Sequence, residues 1–166
     1  MSSNLVLTIY AMVGPMGSGK TTLALNISKK RGARFFSLDK TIKELNKPIK
    51  DIQDYEFHMA EALEIISANA IQALKNNQSV ALDFGGGIGH WEWLKNIADS
   101  VGANIEIYQF EIPLEERLNR VRKRNEEKPK DIYHFTMSDE EVISSKFQRE
   151  TPEPSERVKV IKVTSN

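Results

Sequence analysis

The sequence has no cysteine, which excludes disulfide scaffolds, Cys-ligated zinc, iron–sulfur clusters and thiol nucleophiles, and leaves a reducing compartment open to it. It also has no charge excess: 23 Lys+Arg balance 23 Asp+Glu, so no whole-molecule field favours nucleic acid, anionic membrane or acidic partners. A basic partner site would have to be local. No long hydrophobic run is present. The longest apolar stretch, Leu5 to Val13, is broken by Thr8 and preceded by no basic residue. It falls short of the about 20 apolar residues that span a bilayer and lacks the charged flank of a signal peptide, so it reads as a buried strand and the cytoplasm is the expected location. Internal repeats and Gly/Ser linkers are missing too. The 166 residues are therefore expected to form a single domain, 1–166, and the 40% hydrophobic and 28% charged fractions are those of an ordinary globular protein.

The pattern that is present alternates strand and helix. Short apolar, β-branched or aromatic runs at Leu5–Val13, Ala33–Leu38, Ser79–Phe84, Asn104–Phe110 and Arg157–Val163 predict five strands. Met59, Leu63, Ile66, Ala70 and Leu74 recur at helical spacing and predict a long amphipathic helix from about Asp54 to Lys75. Leu94, Ile97, Ala98 and Val101 repeat that spacing more briefly. Pro113, with Glu115 and Glu116 behind it, predicts a helix to about Asn125, and the Ser138 and Glu141 capping box predicts a last helix through Phe147. Such alternation implies an α/β fold with a parallel sheet covered on both faces.

The strongest chemical signal follows the first strand directly. Gly14-Pro15-Met16-Gly17-Ser18-Gly19-Lys20-Thr21 satisfies the phosphate-loop pattern G-x-x-x-x-G-K-[ST]. A polyphosphate brings several negative charges close to backbone, so the loop needs residues without side chains where amide groups converge on oxygens. Gly14, Gly17 and Gly19 supply them. Lys20 would set an ammonium against the β and γ phosphates, the Thr21 hydroxyl can ligate Mg²⁺, and Thr22 adds a contact. The alternative, a glycine-rich turn that matches by accident, loses to the strand before it and the helix after it.

Three further candidates surround this loop. Asp83, ending the run Ser79-Val80-Ala81-Leu82, can hold Mg²⁺ through a water, or else cap the turn at Gly85-Gly86-Gly87. The triplet Asp83-Phe84-Gly85 spells the protein-kinase D-F-G, but no H-R-D accompanies it. Asp39 closes the second run, where a carboxylate can accept a proton from an attacking hydroxyl, and it can equally cap the helix that follows. Between Arg117 and Lys130 seven Lys+Arg face only Glu126 and Glu127. On a helix Arg117, Arg120 and Arg124 share one flank and can close over a triphosphate, whereas Arg122 points elsewhere; the bland alternative is a solvated face pairing with Glu115 and Glu116. His58, His90 and His134 are isolated and do not predict zinc. Trp91 and Trp93 read as packing or groove-lining residues, Lys40, Lys43, Lys47 and Lys50 as solvated lysines, and Pro152 and Pro154 as an extended loop bordering the base pocket.

These residues together resemble the small P-loop kinases of the zeta-toxin, chloramphenicol phosphotransferase and polynucleotide 5′-kinase type. The stretch Gly14 to Thr22 is similar to that group's phosphate loop, Asp39 sits where those kinases keep an Asp after the second strand, and Pro113 to Arg124, with Glu116, Arg117, Leu118 and Arg120, is similar to their lid segment. The resemblance implies a three-layer P-loop NTPase fold with a sheet ordered 2-3-1-4-5 and an Arg-rich lid helix. It also implies ATP as donor, Mg²⁺, and phosphorylation of a hydroxyl-bearing acceptor whose identity is unread. Lys40 and Thr41 depart from the polynucleotide kinase pattern, which speaks against a nucleic-acid acceptor without removing it. A rival is a nucleotide-dependent ATPase or switch, since Asp83-Phe84-Gly85-Gly86 fits D-x-x-G, although Asn46-Lys47-Pro48-Ile49 lacks the Asp of a guanine-reading segment.

Overall fold

The computed structural model describes residues 6–85, 90–127, 138–144 and 152–165. The chain alternates as expected. The first strand, β1 (Thr8–Val13), leads through the glycine-rich loop into α1 (Lys20–Arg31). Then come β2 (Arg34–Ser37), α2 (Leu38–Glu44), α3 (Ile52–Lys75) and β3 (Val80–Gly85). The second half runs α4 (His90–Val101), β4 (Asn104–Glu111), α5 (Leu114–Glu127), α6 (Asp139–Ser144) and β5 (Val158–Thr164). Phe147, the expected end of the last helix, lies outside the described residues, as does His134.

All five strands pair in parallel in the order β2-β3-β1-β4-β5. This is the fold and strand order that the sequence and its resemblance implied. Each crossover carries one or two helices, which is what parallel neighbours require. Strand side chains alternate between the two faces, and the apolar content of each face builds one layer of core. On one face Ile9, Ala11, Val13, Val80, Leu82, Phe84, Ile105 and Ile107 pack under α2, α3 and α4. On the other, Tyr10, Met12, Ala81, Tyr108 and Phe110 meet Ala24 and Ile27 of α1. The central strand β1 is buried along its whole length, so its carboxyl end delivers the loop at Gly14 from a fixed support.

The helix starts are locally encoded. The Ser37 hydroxyl accepts from Lys40 N at 3.2 Å and caps α2, and Asp51 accepts from Asp54 N at 2.9 Å and caps α3. Ser138 and Glu141 form the expected reciprocal box: the Ser138 hydroxyl accepts from Glu141 N at 3.1 Å, and Ser138 N donates to Glu141 Oε1 at 3.3 Å. Most boundaries shift by a residue or a few from the sequence expectation, and two of the shifts bear on the site. The second strand ends at Ser37 rather than Leu38, because the chain turns into α2 there, and Asp39 consequently lies in the first helical turn. The long helix begins at Ile52, two residues before Asp54, because Asp51 supplies the cap.

Candidate active site

The glycines of the loop are dictated by space and by backbone angle. A Cβ on Gly14 would stand 2.7 Å from the Cβ of Phe110, and one on Gly17 would stand 2.7 Å from the Arg117 carbonyl oxygen. Gly17 also has φ +79°, and Gly19, at φ +94°, is the residue that opens α1 with no side-chain cap. An uncapped helix N-terminus leaves its first N–H groups pointing at the loop, where an anion can take them. The loop is braced from below. Gly14 N donates to Gly85 O at 3.3 Å, joining β1 to the end of β3, and the buried Ser18 hydroxyl donates to Pro15 O at 2.6 Å. Met16 turns its side chain into an apolar cluster with Leu118, Val121 and Val142, which ties the loop to α5 and α6.

Chemistry-bearing side chains gather at the carboxyl edge of the sheet. Lys20 Nζ donates to Gly14 O at 2.7 Å, folding the ammonium back over the loop. Strand alternation places Asp83 on the same face as Ala81, the face that α1 covers, and Asp83 Oδ2 accepts the hydrogen bond of the Thr21 hydroxyl. Asp83 is only 7% exposed. Burial pushes its carboxyl up from the usual carboxylate range, opposed by the Lys20 charge and the Thr21 hydrogen bond and reinforced by Asp39. The two candidate metal ligands are thus adjacent, and both are hard oxygen donors.

Asp39 arrives from the neighbouring strand. Ser37 is the register partner of Asp83, and Asp39 follows two residues beyond, in the first turn of α2. The cap of α2 is Ser37, so the capping alternative for Asp39 is removed. Its Oδ1 accepts from the Tyr55 hydroxyl of α3 at 2.6 Å. The Tyr55 phenol is pushed well above its ordinary value, first by burial, then by the Asp39 charge and the hydrogen bond to it, and also by Asp83. Two carboxylates and a phenol therefore sense one another beside the phosphate loop. Tyr55 carried no signal in the sequence, because a tyrosine at the start of an amphipathic helix reads as packing.

The arginine flank divides. Arg120 reaches the loop, with Nη1 donating to Gly17 O at 3.1 Å and Nη2 to Glu116 Oε1 at 2.7 Å. Arg117 Nε donates to Ile112 O at 3.2 Å, while its Nη1 is buried without a hydrogen-bond partner among the described residues and desolvation lowers the pKa of the group. It is the backbone of Arg117 that lies against Gly17, whereas its guanidinium is turned toward Ile112. Arg124 lies half-buried one turn further along the same helix. Arg122 points elsewhere, as its spacing predicts, and pairs with Asp139 of α6 at 2.5 Å. Thr22 is exposed at the start of α1.

Two readings of aromatic and proline residues are refined by position. Trp93 packs against Phe84, ring centroids 5.4 Å apart, as a core residue. Pro152 stands in extended chain ahead of β5. It lines, with Trp91, Lys95 and Val158, a groove of about 430 Å³ where β5 begins, and a parallel strand begins at the edge opposite the loop.

A parallel sheet in this order, a glycine loop leaving its central strand and an aspartate on the adjacent strand define a phosphate-loop nucleotide-binding fold. The chain belongs to the AAA domain family, which it matches over residues 9–152. It is similar to a shikimate kinase of Buchnera aphidicola subsp. Acyrthosiphon pisum, 31% identical over 119 residues, or 71% of this chain and 65% of that protein. The chain spans 46% to 65% of the length of the curated relatives it matches. Solved structures similar to it include one from Chloroflexus aurantiacus, with 13% identity, a TM-score of 0.78, and 98% of this chain and 87% of that one covered. Another is the APS kinase CysC of Mycobacterium tuberculosis in complex with AMPPNP and APS, with 22% identity, a TM-score of 0.61, and 96% of this chain and 88% of that one covered. At these identities the two structures share the fold with this chain. No helix among the described residues is long and apolar enough to cross a membrane.

Proposed function

We propose that this chain is an ATP-dependent phosphotransferase that moves the γ-phosphoryl group of ATP to a hydroxyl of a small molecule. The observation that carries the reading is the convergence, at one sheet edge, of the phosphate loop, the Thr21–Asp83 pair and Asp39. A nucleotide-binding module that only changes shape has no need of a second carboxylate facing the first. The phosphate loop, Asp39 and the segment Pro113 to Arg124 support grouping the chain with the zeta-toxin, chloramphenicol phosphotransferase and polynucleotide 5′-kinase type, and the names of the shikimate and APS kinases support transfer to a hydroxyl.

In this reading the amides of Gly14 to Thr22 and the Lys20 ammonium bind the phosphate tail. Arg117, Arg120 and Arg124, from one helix flank, cover the transferring group and offset the charge that develops on it, with Arg120 already on the loop at Gly17 O. Thr21 and Asp83 fit Mg²⁺ by the chemistry of their oxygens, since that ion takes one or two protein oxygens and keeps phosphate and water for the rest. When bound, the ion neutralises charge on the phosphate oxygens. The acceptor oxygen bonds to the γ-phosphorus, the bond from that phosphorus to the β-phosphate bridging oxygen breaks, ADP leaves, and the acceptor proton passes to Asp39.

Incubation with γ-labelled ATP and Mg²⁺ tests this directly. The panel of acceptors would hold shikimate, APS, sugars, nucleosides, amino alcohols and oligonucleotides. Label on one small hydroxyl compound is the expected result. Label on an oligonucleotide alone would move the acceptor to nucleic acid, and label only on inorganic phosphate would make the chain an ATPase.

A further inference from the structure

Resting on the phosphotransferase reading, we propose that Tyr55 is the positioning residue for Asp39, fixing the plane of its carboxylate toward the acceptor hydroxyl. The terminal torsion of an aspartate is broad and nearly two-fold, so a carboxylate in a helical turn does not by itself keep either oxygen on one bearing. The Tyr55 hydroxyl, donating to Oδ1 at 2.6 Å, removes that freedom. Its own bearing is rigid. The ring packs on the main core cluster, and the turn that carries it is pinned by Asp51 accepting from Asp54 N at 2.9 Å and by Asp54 Oδ2 accepting from Lys50 N at 3.0 Å.

The partners lie 16 residues apart on different helices, so the contact is made by α2 packing on α3. A phenol suits this task because it has two side-chain torsions, an apolar body for the core and one hydroxyl at the far end. Burial and the facing charges of Asp39 and Asp83 keep that hydroxyl protonated, hence a donor. Phosphoryl transfer depends on alignment more than on covalent chemistry, and misplacement of a reacting group by about 1 Å costs up to about 100-fold in rate. Tyr55 therefore acts on the transfer step through Asp39 and leaves the nucleotide loop alone.

The test is a double-mutant cycle on the full chain, with the acceptor labelled in the panel above. Tyr55→Phe, which keeps the ring, should lower kcat for transfer about tenfold with KM for MgATP and the melting temperature unchanged. In an Asp39→Asn background the same substitution should change the residual rate no further, because the carboxylate it positions is gone. An equal fold-loss in both backgrounds, or a loss of MgATP affinity alongside the rate, would overturn the proposal and make Tyr55 a structural residue. Undiminished kcat in Tyr55→Phe would overturn it while leaving the kinase reading intact. If the unaltered chain labelled no acceptor, both would fall together.

Discussion

Single side chains at the loop carry separable duties. Lys20 places its ammonium over the loop through Gly14 O, so Lys20→Ala should leave the fold intact while reducing phosphoryl transfer at least about 100-fold, read by steady-state kinetics beside a thermal melt. Gly17 has a different burden. A methyl there would meet the Arg117 carbonyl oxygen at 2.7 Å on a backbone with φ +79°, so Gly17→Ala should force the loop away from α5. The expected cost is about 1–3 kcal/mol of stability, with a raised KM for ATP and a smaller effect on kcat. Equal KM in wild type and Gly17→Ala would show that the loop tolerates the shift. Of the two, Lys20 is legible in sequence because its chemistry is fixed by the motif, whereas the demand on Gly17 comes from a carbonyl 100 residues away in the chain.

Whole elements show how the lid is held. The helix α5 carries few apolar residues, and its attachment runs through Val121, which with Val142 of α6 and the flanking Leu118 and Met16 forms a small cluster apart from the main core. Val121→Ala removes two buried methyl groups from it and should cost about 2 kcal/mol locally. Because the cluster is detached from the sheet, hydrogen exchange should speed up in α5 and α6 and stay protected in β1, β3 and β4. Exchange that rises uniformly over the sheet would disprove the separation. The helical spacing of the arginines predicted which of them share a flank, and Arg122 duly faces Asp139 instead. Met16, read only as part of the phosphate loop, turns out to be the loop's apolar anchor, a role invisible until α5 and α6 are packed over it.

Across the molecule, stability rests on the sheet and its two unequal layers. Leu82 on β3 is fully buried in the larger layer, and Leu82→Ala should cost about 2–5 kcal/mol, a large part of the about 5–15 kcal/mol typical of a domain, read by urea titration. The smaller layer has a pH signature. Burial, with the hydrogen bond from the Tyr108 hydroxyl to Glu106 and the Glu106 charge, pushes the Tyr108 phenol up to about 12. An unfolded tyrosine ionises near about 10, so between about 10 and 12 the unfolded chain loses a proton that the folded chain keeps. Stability from this group is complete below about 10 and is lost as pH rises toward 12. Urea midpoints measured from pH 9 to 12 should fall less steeply in Tyr108→Phe; identical slopes would remove Tyr108 from the alkaline transition.

The sequence by itself determined the strands, the longer helices between them and the phosphate loop, because each is written in local periodicity, turn residues or a contiguous motif whose spacing the chemistry requires, whereas the short α2 carried no periodicity of its own. It also singled out Asp39, Asp83 and the arginine flank, since carboxylates at strand ends and cations on one helix face are local facts. What only the tertiary structure decided is which of them meet: Asp83 under Thr21, Asp39 against Tyr55, Arg120 on Gly17, and Ser37 instead of Asp39 as the cap of α2. These contacts join residues that are distant in the chain, and their geometry follows from the register of parallel strands and the packing of helices across them, which no stretch of sequence contains alone.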